Sequence, residues 1–202
     1  MGQNLSYQVV ERKIRYPRLE LKTGILTAVI PEGESVLELI EKHRSWIVKK
    51  KKFIKEAKRE VKKDHLVIRK DLDFQSLIEK IVRDYANILK VRPKRIYFRL
   101  MTTKWASCSS KGNLSFNWLM KYLPEKEIKY IVFHEMCHLK IKRHNGKFWL
   151  IVARQFPKFK KHEKNLFGWW FVINKEKLNR GRFSWGGRFS NSHGISKNPK
   201  NY

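Results

Sequence analysis

Residues 124–144 read PEKEIKYIVFHEMCHLKIKRH, and the fold turns on how this stretch is read. Pro124 opens a helix where its missing N–H does no harm, and Glu125 and Glu127 suit the positive end of the helix dipole. Residues four apart on a helix are separated by about 400°, one turn plus about 40°, so His134 and His138 project from one face. Imidazoles placed in this way can converge on one cation at roughly 2.0–2.1 Å. Glu135 lies about 100° round from His134. That is a poor position for a co-ligand and a good one for a general base touching a water held on the metal. Met136 faces the opposite side and is expected in the core, while Cys137 flanks the site as a packing residue.

A hydrolytic zinc site needs three protein ligands and one open position. His144 is the third ligand that the spacing favours, because neighbouring ligands fix their geometry with the least loss of entropy. On an unbroken helix His144 would sit about 240° from His138. The helix must therefore stop near Leu139 to Lys142 and the chain must turn back. Glu163 and His162 stand as alternatives further along. A metzincin would carry Gly at position 141 and a Met beyond the site; this chain has Ile141 and no Met after Met136.

Outward from this helix, alternating apolar residues predict strands with one buried face at Ile96, Phe98 and Leu100 and again at Leu114, Phe116 and Trp118. The segment from Thr102 to Gly112 joins them as a loop, and Asn113 to Trp118 is the expected edge strand, on which an extended peptide could add by main-chain hydrogen bonds. Upstream, Phe74, Leu77, Ile78, Ile81, Tyr85 and Leu89 define a helix capped by Asp71 or Asp73 and ended by Arg92-Pro93. Downstream, helices are expected over 147–155 and 159–172. Near the start, residues 7–30 read as short strands with a Thr23-Gly24 turn. After a Ser35 cap, Val36, Ile40, Ile47, Ile54 and Val61 recur at helical spacing. The fold class is therefore α+β, with a basic strand-and-helix extension at 1–62, a catalytic domain at 71–176, and a Gly/Arg/Phe tail at 177–202 that cannot bury a core. Gly-Arg-Phe-Ser occurs in that tail at 181–184 and again at 187–190.

The chain has 202 residues, 42% of them hydrophobic and 13% aromatic, which is enough to bury a core and excludes disorder by composition. No apolar run approaches the ~20 residues of a membrane span. Cys108 and Cys137 are too few to staple a domain, and the start lacks an apolar signal region, so a reduced, cytoplasmic chain is expected. Lys plus Arg number 46 against 18 Asp plus Glu, a net charge of +28. Codon bias or thermophilic ion-pair networks would raise both signs, so the excess points to polyanionic partners, nucleic acid first. Between Lys42 and Lys63 eleven basic residues face Glu56 and Glu60 alone.

Three blocks resemble the YgjP-like metallopeptidase family: Lys104-Trp105-Ala106-Ser107-Cys108-Ser109, then Leu114-Ser115-Phe116-Asn117-Trp118, then His134-Glu135-x-x-His138 with His144 and Phe148-Trp149. Lys104 and Ala106 stand where the family carries Arg and Gly. The resemblance covers Ile96 to about Phe171. It implies a compact zincin-like domain with a small mixed or antiparallel sheet, one zinc per chain and Glu135 as general base, acting on a protein or peptide substrate. Its more distant kin, the WLM and SprT-like proteases, cut proteins bound to DNA, in keeping with the charge. The competing readings are a nucleic-acid-binding protein with a structural or vestigial zinc, and a zinc-dependent nuclease on the same scaffold.

Overall fold

The computed structural model describes residues 7–22, 25–62 and 65–179. The Thr23-Gly24 turn and the repeated Gly-Arg-Phe-Ser segments lie outside the described residues. Strands β1 (Gln8–Glu11), β2 (Arg18–Lys22) and β3 (Ile25–Ile30) form a mixed sheet of order β1-β3-β2, with β1 parallel and β2 antiparallel to β3. Leu26, Ile40 and Ile47 make a small core beneath it, joined by Leu19 and Val36.

The apolar spacing from Val36 to Val61 suggested one helix, but the chain forms two, α1 (Val36–Lys42) and α2 (Arg44–Val61), broken at His43 with φ −108° and ψ 11°. Ser35 occupies the N-cap of α1 without a side-chain hydrogen bond to it. Helix α3 (Asp71–Leu89) is capped by Lys70, so Asp71 and Asp73 lie inside the first turn. There their charges favour the dipole, and Asp71 also takes the Lys121 ammonium at 2.7 Å.

A second mixed sheet contains β4 (Ile96–Arg99), β5 (Ala106–Cys108) and β6 (Leu114–Asn117) in the order β4-β6-β5. This corrects two expectations. The segment that follows Asn113 is the central strand, parallel to β4 on one side and antiparallel to β5 on the other. An edge is instead taken by β5, inside the block expected to be a loop, with Ala106 opposite Phe116 and Cys108 opposite Leu114. Small polar side chains hide the alternation there, and the backbone pairs regardless. Buried Asn117 fixes this arrangement: its Nδ2 donates to the carbonyls of Met101 and Lys104, both at 2.8 Å, and its Oδ1 accepts from Leu119 N–H.

A 3₁₀ turn (Trp118–Tyr122) leads into α4 (Glu125–Cys137), followed by α5 (Gly146–Gln155) and α6 (Phe159–Asn179). The main core unites α3, the second sheet and α4 to α6, with Phe74, Ile78, Leu114, Phe116, Ile128, Phe133 and Trp169 buried in it. The basic extension is not detached from this body. Ile54, Ala57 and Val61 of α2 are buried, Val61 within the main core itself, and Phe53 meets Phe167 of α6 with ring centroids 5.3 Å apart.

The crossing of α2 and α6 depends on Gly168. A Cβ there would overlap the Ala57 carbonyl oxygen and sit 2.8 Å from the carbonyl carbon. Gly168→Ala should therefore destabilise the chain by about 1–3 kcal/mol despite its better helix propensity. Gly146, with nothing within 4 Å of the same added atom, should accept Ala without loss. Denaturant midpoints of the two variants check the pair.

Candidate metal centre and active-site cleft

Helix α4 ends at Cys137, a little before the expected stop, and His138 is its C-cap residue. The last turn tightens, with Leu139 N–H donating to Met136 O at 3.0 Å and Ile141 N–H to Cys137 O at 2.9 Å. The chain then swings round to Asn145, whose side chain accepts from Phe148 N–H at 3.0 Å and caps α5. This turn carries His144 back toward the helix. Its Nε2 lies 2.9 Å from His134 Nε2 and 3.1 Å from His138 Nε2, and one ligand atom from each of the three side chains fits within 4.8 Å of the others.

Three ring nitrogens this close cannot all be satisfied by one another, because a proton can lie between only one pair at a time. His138 Nδ1 stands 3.0 Å from the Ile141 carbonyl oxygen, an acceptor, so that nitrogen carries the proton and Nε2 presents a lone pair. Burial, with the neighbouring His138 and His144, pushes His134 down to about 3, so it is a neutral donor. Burial also lowers His138. Tetrahedral corners at 2.0–2.1 Å from zinc stand about 3.3 Å apart, close to the spacings seen. A trio of ring nitrogens with a carbonyl behind one ring fits a divalent cation of the zinc type.

Phe148 and Trp149 hold the imidazoles in place. Phe148 is fully buried and stacks on His138 at 4.6 Å, with its edge or face also against His134 and His144, while Trp149 stacks on His144 at 5.5 Å. Met136 and Cys137 are both wholly buried, in the core as expected. His162 and Glu163, the alternative ligands, lie elsewhere. His162 Nδ1 meets Glu127 Oε2 at 2.7 Å, and Glu163 accepts the Tyr130 hydroxyl at 3.2 Å. Glu127, expected merely to face the helix dipole, is wholly buried and also takes Asn165 Nδ2 at 2.9 Å.

Glu135 faces the edge strand. Burial raises its carboxyl to about 7, opposed by the nearby Lys104 charge and a hydrogen bond from the Cys108 backbone. The block whose role the sequence left unread thus sits against the expected general base. Its ladder explains how. Asn117 N–H donates to Trp105 O and Ser109 N–H to Asn113 O, so Trp105, Ser107 and Ser109 bond inward to β6. Antiparallel alternation turns the N–H and C=O groups of Ala106 and Cys108 outward to the open edge, where Cys108 meets Glu135. Beside Glu135 and His134 opens a cavity of about 510 Å³, walled by Ala106 and the segment leading into β5, by α4 and by the aromatic face of α6. Trp105 ties two of these walls together, its Nε1–H donating to Leu166 O at 3.2 Å.

A helix-borne His-Glu-x-x-His, a third His returned by a turn, and a carboxylate beside an open strand edge define a zincin-like metal-dependent hydrolase. The YgjP-like metallopeptidase domain matches residues 67–167, half of the chain, and the chain belongs to that family. It is accordingly a metallopeptidase, whose family works with a divalent metal, typically zinc. Among solved structures it is similar to the metallopeptidase zymogen abylysin of Pyrococcus abyssi, at 23% identity and TM-score 0.39, over 52% of this chain and 94% of that one. It is also similar to the zymogen jannalysin of Methanocaldococcus jannaschii, at 29% identity and TM-score 0.41, over 54% and 99%. No curated protein matches the chain.

Proposed function

We propose that His134, His138 and His144 hold one zinc ion and that Glu135 is the general base for hydrolysis of peptide bonds in a protein substrate. The convergence of the three Nε2 atoms, 2.9 and 3.1 Å apart, beside a carboxylate anchored to an open strand edge carries this reading. When bound, zinc supplies Lewis acidity toward a carbonyl oxygen and acidifies water. A neighbouring cation favours the ionised carboxylate, so Glu135 is ready to accept a proton. The Cys108 N–H holds one side of that carboxylate and leaves the other free to take a proton from water and return it to the leaving amine. The outward groups of Ala106 and the Cys108 carbonyl align an extended peptide along β5, and the cavity walls keep bulk water away.

The charge of +28 supports substrates associated with nucleic acid. On α1 and α2 and at the C-cap of α2, Lys42, Arg44, Lys49, Lys52, Lys55, Arg59 and Lys62 are exposed, and Trp46 is 42% exposed among them. Arg18 and Lys42 share a groove with Trp46 and Lys49, a combination suited to phosphates and stacked bases. We read the polymer as a tether for substrate, in a chain that works in a reduced, cytoplasmic compartment.

Parallel incubation of the zinc-loaded chain with an unfolded protein and with DNA tests both parts. Protein fragments should appear only with zinc present, while DNA is bound but left intact. The binding should weaken steeply with salt, log K falling by about 0.9 per phosphate contact against log salt, and should survive removal of zinc. DNA strand cleavage would favour the nuclease reading, and an absence of DNA retention at low salt would remove the tether.

A further inference from the structure

We propose that the cavity beside Glu135 receives the side chain of the residue just C-terminal to the cleaved bond, and that it selects a large apolar or aromatic one. This rests on the peptidase reading above and adds a substrate preference to it.

Position follows from proton transfer. Glu135 must return its proton to the leaving nitrogen, so the residue that owns this nitrogen lies on the Glu135 side of the site. Glu135 and His134 themselves form part of the cavity wall. A side chain one bond from that nitrogen therefore falls into the space of about 510 Å³, within the roughly 300–1,000 Å³ range of working ligand pockets.

Preference follows from the walls. Trp105, Ile131, Leu166, Phe167, Trp170 and Phe171 line the cavity. Trp105 and Trp170 meet edge to face at 4.9 Å, as do Phe167 and Phe171. The polar atom of Trp105 is already bonded to the Leu166 carbonyl, so its ring offers only apolar surface to a guest. Ala106 is buried and short, and leaves the space between the tryptophans and α4 open. The charge at the far rim belongs to Glu163, which is exposed and accepts the Tyr130 hydroxyl. Solvent and that hydrogen bond satisfy it, so it does not call for a basic guest. An aromatic guest would bury about 150–250 Å² here and find edge-to-face partners on two sides.

Three quenched peptides, identical except for Phe, Ala or Lys after the cleaved bond, supply the test with zinc-loaded protein. The Phe peptide should exceed the Ala peptide in kcat/KM by at least about tenfold, with Lys no better than Ala. Thr103, exposed at the cavity rim, can be replaced without disturbing the core. Thr103→Trp should bring Phe and Ala to near parity, and an undiminished preference for Phe in this variant would count against the pocket. In calorimetry without metal, the product-like Phe-Ala-Ala amide should bind more tightly than the Ala-Ala-Ala amide. Equal rates for Phe and Ala in the wild type, or a preference for Lys, overturn the pocket assignment and leave the peptidase reading standing. Hydrolysis of none of the three overturns both.

Discussion

Glu135→Gln is expected to keep the metal and to lower peptide hydrolysis by about 10²–10⁴-fold, the usual worth of a positioned general base. The substitution is nearly isosteric. The Gln carbonyl oxygen can still accept the Cys108 N–H that now anchors the carboxylate, so the side chain stays in place and only its basicity disappears. The three imidazoles keep their supports, the Ile141 carbonyl behind His138 and the Phe148 and Trp149 rings beside the others. Initial rates with metal content measured on the same samples give the answer. Undiminished hydrolysis by the variant would remove Glu135 from the reaction.

His162→Ala should cost the fold at least about 1–3 kcal/mol, the range for leaving a buried polar group without its partner. Glu127 has no exposed surface, and its two carboxylate oxygens are divided between His162 and Asn165. Losing the imidazole strands one oxygen in the core between α4 and α6 and also removes the ring stacked on Tyr130 at 5.1 Å. Replacing the whole cluster, Glu127→Met with His162→Phe and Asn165→Leu, should recover most of the loss, because none of its polar groups is then left without a partner. The measurement is the unfolding midpoint with zinc bound. Retention of the metal by the folded His162→Ala protein would also agree with a structural, not a ligating, role for His162.

Much of this architecture could be read from periodicity. The position of α4, the shared face of His134 and His138, and the need for a turn before His144 all follow from 3.6 residues per turn. What escaped were features set by partners distant in sequence. The strand at Ala106–Cys108 has three small residues and no apolar alternation, so only its pairing with β6 reveals it. Glu127 looked like a dipole residue because its partner lies 35 positions away. The break at His43 leaves the apolar spacing of its flanking helices intact and gave no warning. The cavity draws its rings from Trp105 and from α6, which meet only in the folded chain. Conversely, the Lys104–Ser109 block stood out by resemblance, but its contact with Glu135 required coordinates.

The account rests on three imidazoles sharing one cation. Metal analysis of the purified wild type and of His144→Ala, each equilibrated with limiting zinc, tests this most directly. The wild type should hold one zinc per chain, and the variant, left with two ligands, should lose most of it while remaining folded. A full equivalent of zinc on folded His144→Ala would show that the third ligand lies elsewhere and would contradict the site as assigned.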